Sequence, residues 1–297
     1  MTNEPKILAC VDASPVAEVV ADYAAWAARR LAAPLEFLHV LDRHAALPQG
    51  QDHSGAIGLD AQEKLLTQLS QEDALRTRTA RETGRVFLNR WRERALAAGV
   101  ATVDTRLRHG DVEETLAEQQ EGTRLLVLGR AGAGTTSANA SANVSTTGEP
   151  GLGKHLTWVI RSVKRPVLVV TKAYTEPSRV LFAFDGSAVT RKGVEMLAAS
   201  PLLKGLPIHL LMSGDATPQN QRPLAWAVQT LTQAGMVVSS ALQPGQPQEV
   251  IAEVLKTRAH DLLVMGAYSH SPLRQLFLGS KTSELLKSAS LAMLLLR

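Results

Sequence analysis

The chain repeats itself. KILACVDASPVAEVVADYAAWAARRLAAPLEFLHVLD (6–42) lies without a gap over RVLFAFDGSAVTRKGVEMLAASPLLKGLPIHLLMSGD (179–215), at an offset of 173. Both stretches open with a short apolar run that ends in Asp, a small residue and Ser: Asp12-Ala13-Ser14 and Asp185-Gly186-Ser187. Both continue with helical periodicity, a Pro, and a second apolar run ending in Asp42 or Asp215. The match resumes downstream, where Gly110 aligns with Gly245, TRLLVLGRAG with HDLLVMGAYS, and LGKHLTWVIRSVKRPVLVV with LGSKTSELLKSASLAMLLL. Identities are few, but apolar pattern and punctuation agree throughout. A tandem duplication restricts the fold to two copies of one unit.

Each copy alternates short apolar runs, the mark of buried parallel strands, with segments of helical period. Five strands and four crossover helices predict an α/β fold, two tandem doubly wound five-stranded parallel-sheet domains of Rossmann-like type. The expected boundaries are 1–172 and 179–297, joined by a short polar link holding Pro177. The first copy carries two inserts. One, about 43–84, includes LDAQEKLLTQLSQEDALRTRTA, which reads as an additional amphipathic helix. The other, about 133–152, is low-complexity Ala, Ser, Thr, Asn and Gly, and reads as a mobile loop.

Composition bounds what such a chain does. Charged residues make up 20% and hydrophobic ones 45%, and the net charge is +4, with neither half concentrating it. The densest basic run, RVFLNRWRER (85–94), interleaves Arg with apolar residues at helical spacing and reads as a solvated helix face, so no nucleic-acid partner is expected. No apolar run is long enough for a bilayer, the start lacks the core of a signal peptide, and Cys10 is the sole cysteine. The expectation is a cytoplasmic protein with no membrane partner. No metal site is expected, since the histidines have no Cys or His partners at ligand spacing. No Ser-His-Asp or paired-carboxylate set assembles, so no catalytic residue is assigned.

GEPGLGKH (148–155) imitates a phosphate-binding P-loop but has His155 where Ser or Thr is required. It trails an insert instead of following a strand, and its counterpart, LGSKTS (278–283), has no such pattern. The imitation is coincidental. The undisturbed arrangement stands in the second copy: Gly266-Ala-Tyr-Ser269, nine residues, then Gly279-Ser280. This spacing resembles the G-x-x-G, nine-residue, G-[ST] nucleotide motif of the universal stress protein family. The Asp-x-Ser opening of each copy, Leu38-His39-Val40 and VMGAYSHSPLRQLFLGS resemble that family as well.

The resemblance implies an adenine nucleotide α-hydrolase-like fold with strand order 3-2-1-4-5. It also implies ATP or another adenine nucleotide, which can bring Mg2+ with it, at the point where that order reverses. In the second copy the implied contacts are Asp185, Ser187, Ser213, Gly266, Ser269, Gly279, Ser280 and Thr282. In the first they are Asp12, Val40, Gly129, Gly132, Gly153 and Lys154, a weaker set because its loop is 11 residues longer. Ser269 stands where the family has its second Gly, Ser213 replaces a Val, and Lys154 replaces the motif Ser. Lys154 has two readings, a phosphate point charge or a solvated helix start. Asp12 and Asp185 likewise have two, nucleotide contact or helix cap. His39 is expected to face the core or end its strand, Cys10 to be a buried inert thiol, and the four Trp to be packing residues.

Family members of single-domain type pair through their last strands, so VLVV (167–170) and AMLLLR (292–297) are expected to join the halves as an intrachain pseudo-dimer. A further homodimer and an unidentified protein partner are compatible with this. The function implied is a nucleotide-binding stress-response regulator. Its rivals are a scaffold with decayed sites and, less well supported, a weak ATPase or other nucleotide hydrolase.

Overall fold

The computed structural model describes residues 4–41, 59–130, 158–159, 162–171, 173–267 and 291–297. The insert at 133–152 and the phosphate-loop positions Gly132, Gly153, Lys154, Ser269, Gly279, Ser280 and Thr282 lie outside the described residues.

The first half runs β1 (Lys6–Cys10), α1 (Ala17–Leu31), β2 (Leu35–Leu41), α2 (Leu59–Ala97), β3 (Val103–His109), α3 (Val112–Gln119), β4 (Thr123–Gly129) and β5 (Val167–Val170). The second runs β6 (Val180–Ala183), α4 (Ala188–Ala198), β7 (Ile208–Ser213), α5 (Pro218–Gln233), β8 (Val238–Gln243), α6 (Pro247–Thr257), β9 (Leu262–Gly266) and β10 (Ala292–Leu296). The fourth crossover of each half falls largely outside the described residues.

The strands form one ten-stranded sheet in the order β3-β2-β1-β4-β5-β10-β9-β6-β7-β8. Each half therefore has the 3-2-1-4-5 order, and its neighbours within the half are parallel. The central pair, β5 and β10, is antiparallel, with Leu168 opposite Leu294, Val169 opposite Met293 and Val167 opposite Leu295. Leu168 and Leu294 are counterparts in the repeat, so exchanging the halves leaves this register unchanged. Both strands are fully buried, which removes two apolar edges from water. Off the sheet, the Arg30 guanidinium on α1 donates to the carbonyls of Leu202, at 2.9 Å, and Lys204.

Alternate residues of the strands feed two core layers. One holds Ile7, Phe37, Phe182 and Leu294 beneath α1, α2, α4 and α5. The other holds Leu8, Leu38, Leu211 and Met265 beneath α3 and α6. This is the helices-on-both-faces arrangement that continuous apolar strands require.

The insert between β2 and β3 differs from its expected form. Its described part, from Leu59 on, is not a separate helix but extends the crossover helix into one α2 of 39 residues. The stretch is free of Pro and rich in good helix formers. Its one weak point, Gly84, is buried where α2 lies tightly on β3: a Cβ there would stand 2.9 Å from Leu107 Cδ1. The helix runs through because close packing offsets the lower propensity of that glycine. Beyond Gly84 the buried face is Leu88, Trp91 and Ala95, at helical spacing.

Candidate functional site

In the second half the strand order reverses at β6, which has β7 on one side and β9 on the other. Connections leave in opposite directions there, so a cleft opens beyond the carboxyl ends of the strands. The cleft is shallow and partly open to solvent. Ala183, Leu211 and Met265 form its floor from the three strands, and Pro247, Val250 and Ile251 of α6 form a wall. Asp185, Ser213 and Gly266 stand at its rim. An apolar slot with a few polar groups at one end suits a flat, partly polar ligand.

Asp185 is exposed at the rim and also holds the local turn. Its Oδ1 accepts from Ser187 N at 3.0 Å and from the Thr190 hydroxyl at 2.7 Å. The cap of α4 is Ser187, whose Oγ accepts from Thr190 N at 3.4 Å. The cap reading of Asp185 is therefore corrected: it braces the capping residue and does not itself occupy that position. Ser213 donates its hydroxyl to Gly245 O at 2.5 Å, tying the end of β7 to the turn before α6. The polar replacement is thus satisfied within the fold. Gly266 ends β9, buried and paired with Leu296.

The first half builds the same place with different residues. Asp12 Oδ1 accepts from Ser14 N at 3.0 Å, repeating the Asp185 turn. Here the helix N-cap is Val16, with no side-chain cap, so the cap reading of Asp12 is corrected too. Cys10 takes the position of Ala183. Burial, and secondarily the Asp12 charge, push its thiol up to about 12, which leaves it protonated and unreactive at neutral pH. Val40 is half-buried at the end of β2, and Gly129 ends β4 opposite Val170. Asp111 caps α3, its Oδ1 accepting from Glu113 N at 2.7 Å and Glu114 N at 3.1 Å. Three carboxylates thus cluster where the second half has Gln246, Gln248 and Glu249. A polyanion is less welcome beside the former.

His39 lies at the end of β2 with Nδ1 2.8 Å from Val11 O and its ring 5.0 Å from that of Phe87. Trp26 and Trp91 are buried and Trp158 and Trp226 partly so. Sequence reasoning had located the rim but not the α6 wall, nor Thr190. The sequence signals only that Pro247, Val250 and Ile251 share one apolar helix face shortly after β8, not what that face covers.

The universal stress protein family model matches residues 5–171 and again 177–297. The chain belongs to the universal stress protein family. A relative, Universal stress protein Slr1230 of Synechocystis sp., is 31% identical over 294 residues, covering 98% of this chain and 99% of the relative. A universal stress protein of Archaeoglobus fulgidus has a similar structure, with a TM-score of 0.62 at 15% identity over 99% of this chain and 97% of that one. One from Pseudomonas aeruginosa gives 0.55 at 17% identity over 99% and 93%. At those identities the structural likeness concerns the fold. No helix among the described residues of this universal stress protein is long and apolar enough to cross a membrane.

Proposed function

We propose that this universal stress protein binds an adenine nucleotide in the second-half cleft and acts as a regulator that responds to it. The carrying observation is the apolar slot between the ends of β6 and β9, with Asp185 and Ser213 at its rim. The base would lie between Leu211, Met265 and the α6 wall, with the ribose near the Asp185 carboxylate. Phosphates, and any Mg2+ with them, would fall to Ser269, Gly279, Ser280 and Thr282, whose spacing in the sequence motivates that assignment. The first half would bind more weakly, given Cys10 and the acidic start of α3. The two halves would act as a pseudo-dimer about the β5–β10 pair. Binding without turnover is the reading, since no general base or nucleophile is assigned.

Calorimetry of the full chain with ATP, ADP, AMP and cyclic AMP tests this. Ala183→Phe, which fills the slot, should weaken binding at least about tenfold, or 1.4 kcal/mol. Gly279→Val should do the same and Gly153→Val little. Absence of heat with every nucleotide would favour the scaffold reading, and loss of binding only in Gly153→Val would move the site to the first half.

A further inference from the structure

The two outer edges of the ten-stranded sheet are unlike. A strand edge presents unpaired N–H and C=O groups, and charged side chains are the usual deterrent to pairing there. Edge strand β3 carries Asp104, Arg106 and Arg108, and two arginines of α2 reach it, Arg92 donating to Val103 O at 3.2 Å and Arg81 to His109 Nε2 at 3.3 Å. Edge strand β8, VSSALQ, carries no charge. From Pro223 to Gln248 the chain has no charged residue at all, although Gln229, Thr232, Gln233, Ser239 and Ser240 are exposed. Val237, just before the strand, is 64% exposed.

One side of β8 is taken by β7. Ile208 N donates to Val237 O and Gly214 N to Gln243 O, each at 2.8 Å. Both acceptors are at odd positions, so strand alternation turns the peptide groups of Val238, Ser240 and Leu242 outward. Among the described residues no strand pairs with that side. Val238 and Leu242 pack partly against the core, leaving Ser240 between them exposed.

We infer that β8 is a self-association edge, where two copies of this chain pair antiparallel about Ser240. In a two-fold contact each residue meets the same surface of the other copy, so any charge on the axis would meet itself. The charge-free stretch removes that penalty. With Ser240 opposite Ser240, Val238 faces Leu242 on both sides of the axis and the apolar layer beneath α5 continues across the contact. The alternative, β8 against β3 of the next copy, would not close and would leave the exposed Asp104 and Arg108 against a neutral strand.

Sedimentation velocity of the full chain over about 1–100 µM should show a concentration-dependent dimer. Ser240→Lys sets two ammonium groups together on the axis, and Ser240→Pro removes an outward N–H that β7 does not use. Each should weaken the dimer at least about tenfold with the thermal midpoint little changed. Thr105→Lys on β3 should leave it intact. Hydrogen exchange at Val238, Ser240 and Leu242 should slow with concentration. Should Ser240→Pro fail to fold, Ser240→Lys and the exchange rates decide. A wild-type monomer across the range, a dimer that survives Ser240→Lys, or one lost in Thr105→Lys overturns the inference.

Discussion

At the carboxyl ends of the strands the first half places Cys10, Val40 and a helix that starts Asp-Val-Glu-Glu, and the second places Ala183, Ser213 and one that starts Gln-Pro-Gln-Glu. The strand order, the Asp-led turn and the apolar floor are the same in both. What differs is the room and the charge offered to a ligand. The duplicated frame tolerates exchange of side chains wherever a neighbour compensates. Its divergence is therefore best seen in pairs.

The pair with the largest expected effect is Gly193 with Leu296. A Cβ on Gly193 would overlap Leu296 Cδ1, so α4 meets β10 with no space between. Their counterparts in the first half are Val20 and Val170, both in the same core layer. One half uses small and large, the other two of middle size. Gly193→Val should destabilise the protein by about 2–3 kcal/mol, because Leu296 is fully buried and cannot swing away. Adding Leu296→Val should recover more than half of that loss, measured by urea unfolding as a double-mutant cycle. Additive losses would mean that the two sites do not compensate each other.

A smaller effect is expected where α1 and the region after α4 end. Ala32 adopts φ 47° and its counterpart Gly205 φ 82°, the left-handed region in both halves. Only glycine takes that conformation without a Cβ clash, which costs about 1 kcal/mol. Ala32→Gly should stabilise the first half by about 0.5–1 kcal/mol, and Gly205→Ala should destabilise the second by a similar amount. Thermal midpoints should move in opposite directions. A midpoint lowered in both variants would refute this account of the turn.

Much of the architecture was legible because the repeat reports each element twice. The ends of β5 and β10 and the β6 rim with Asp185 were readable as apolar runs and punctuation. The single helix α2 was not, because the insert has no counterpart in the second half, and nothing in the repeat shows that it continues into the crossover helix. The α6 wall was missed since a cleft wall is a tertiary fact, and Pro247, Val250 and Ile251 look like any amphipathic face. Of the two readings open for Asp185, the cap falls two residues short, since Asp and Ser both suit an N-cap and backbone geometry gives it to Ser187.

The smallest effect concerns the amino ends of the sheet, where residue 36 and its counterpart 209 differ in kind. Glu36 is buried and bound by Lys6 at 2.9 Å and by Arg106 through two bonds at 2.9 and 3.1 Å. In the second half His209 takes that place, its Nδ1 2.9 Å from Ser239 Oγ and its ring stacked 6.0 Å from that of His260. Burial first, then the Arg258 charge and the His260 ring, hold His209 below the ordinary 6.5. Burial first, and then the Arg258 charge, lower His260 as well. The folded state thus takes up protons less readily than the unfolded chain, so stability rises with pH in this range. The contribution is complete above about 6.5, the unfolded value, and is lost as pH falls below it towards the folded values. Chemical denaturation from pH 8 to 5 should show the wild type losing stability more steeply than a His209→Asn/His260→Asn variant, since other groups titrate alike in both. An equal slope would mean that these rings titrate normally in the folded protein, and a shallower wild-type slope would reverse the sign of the argument.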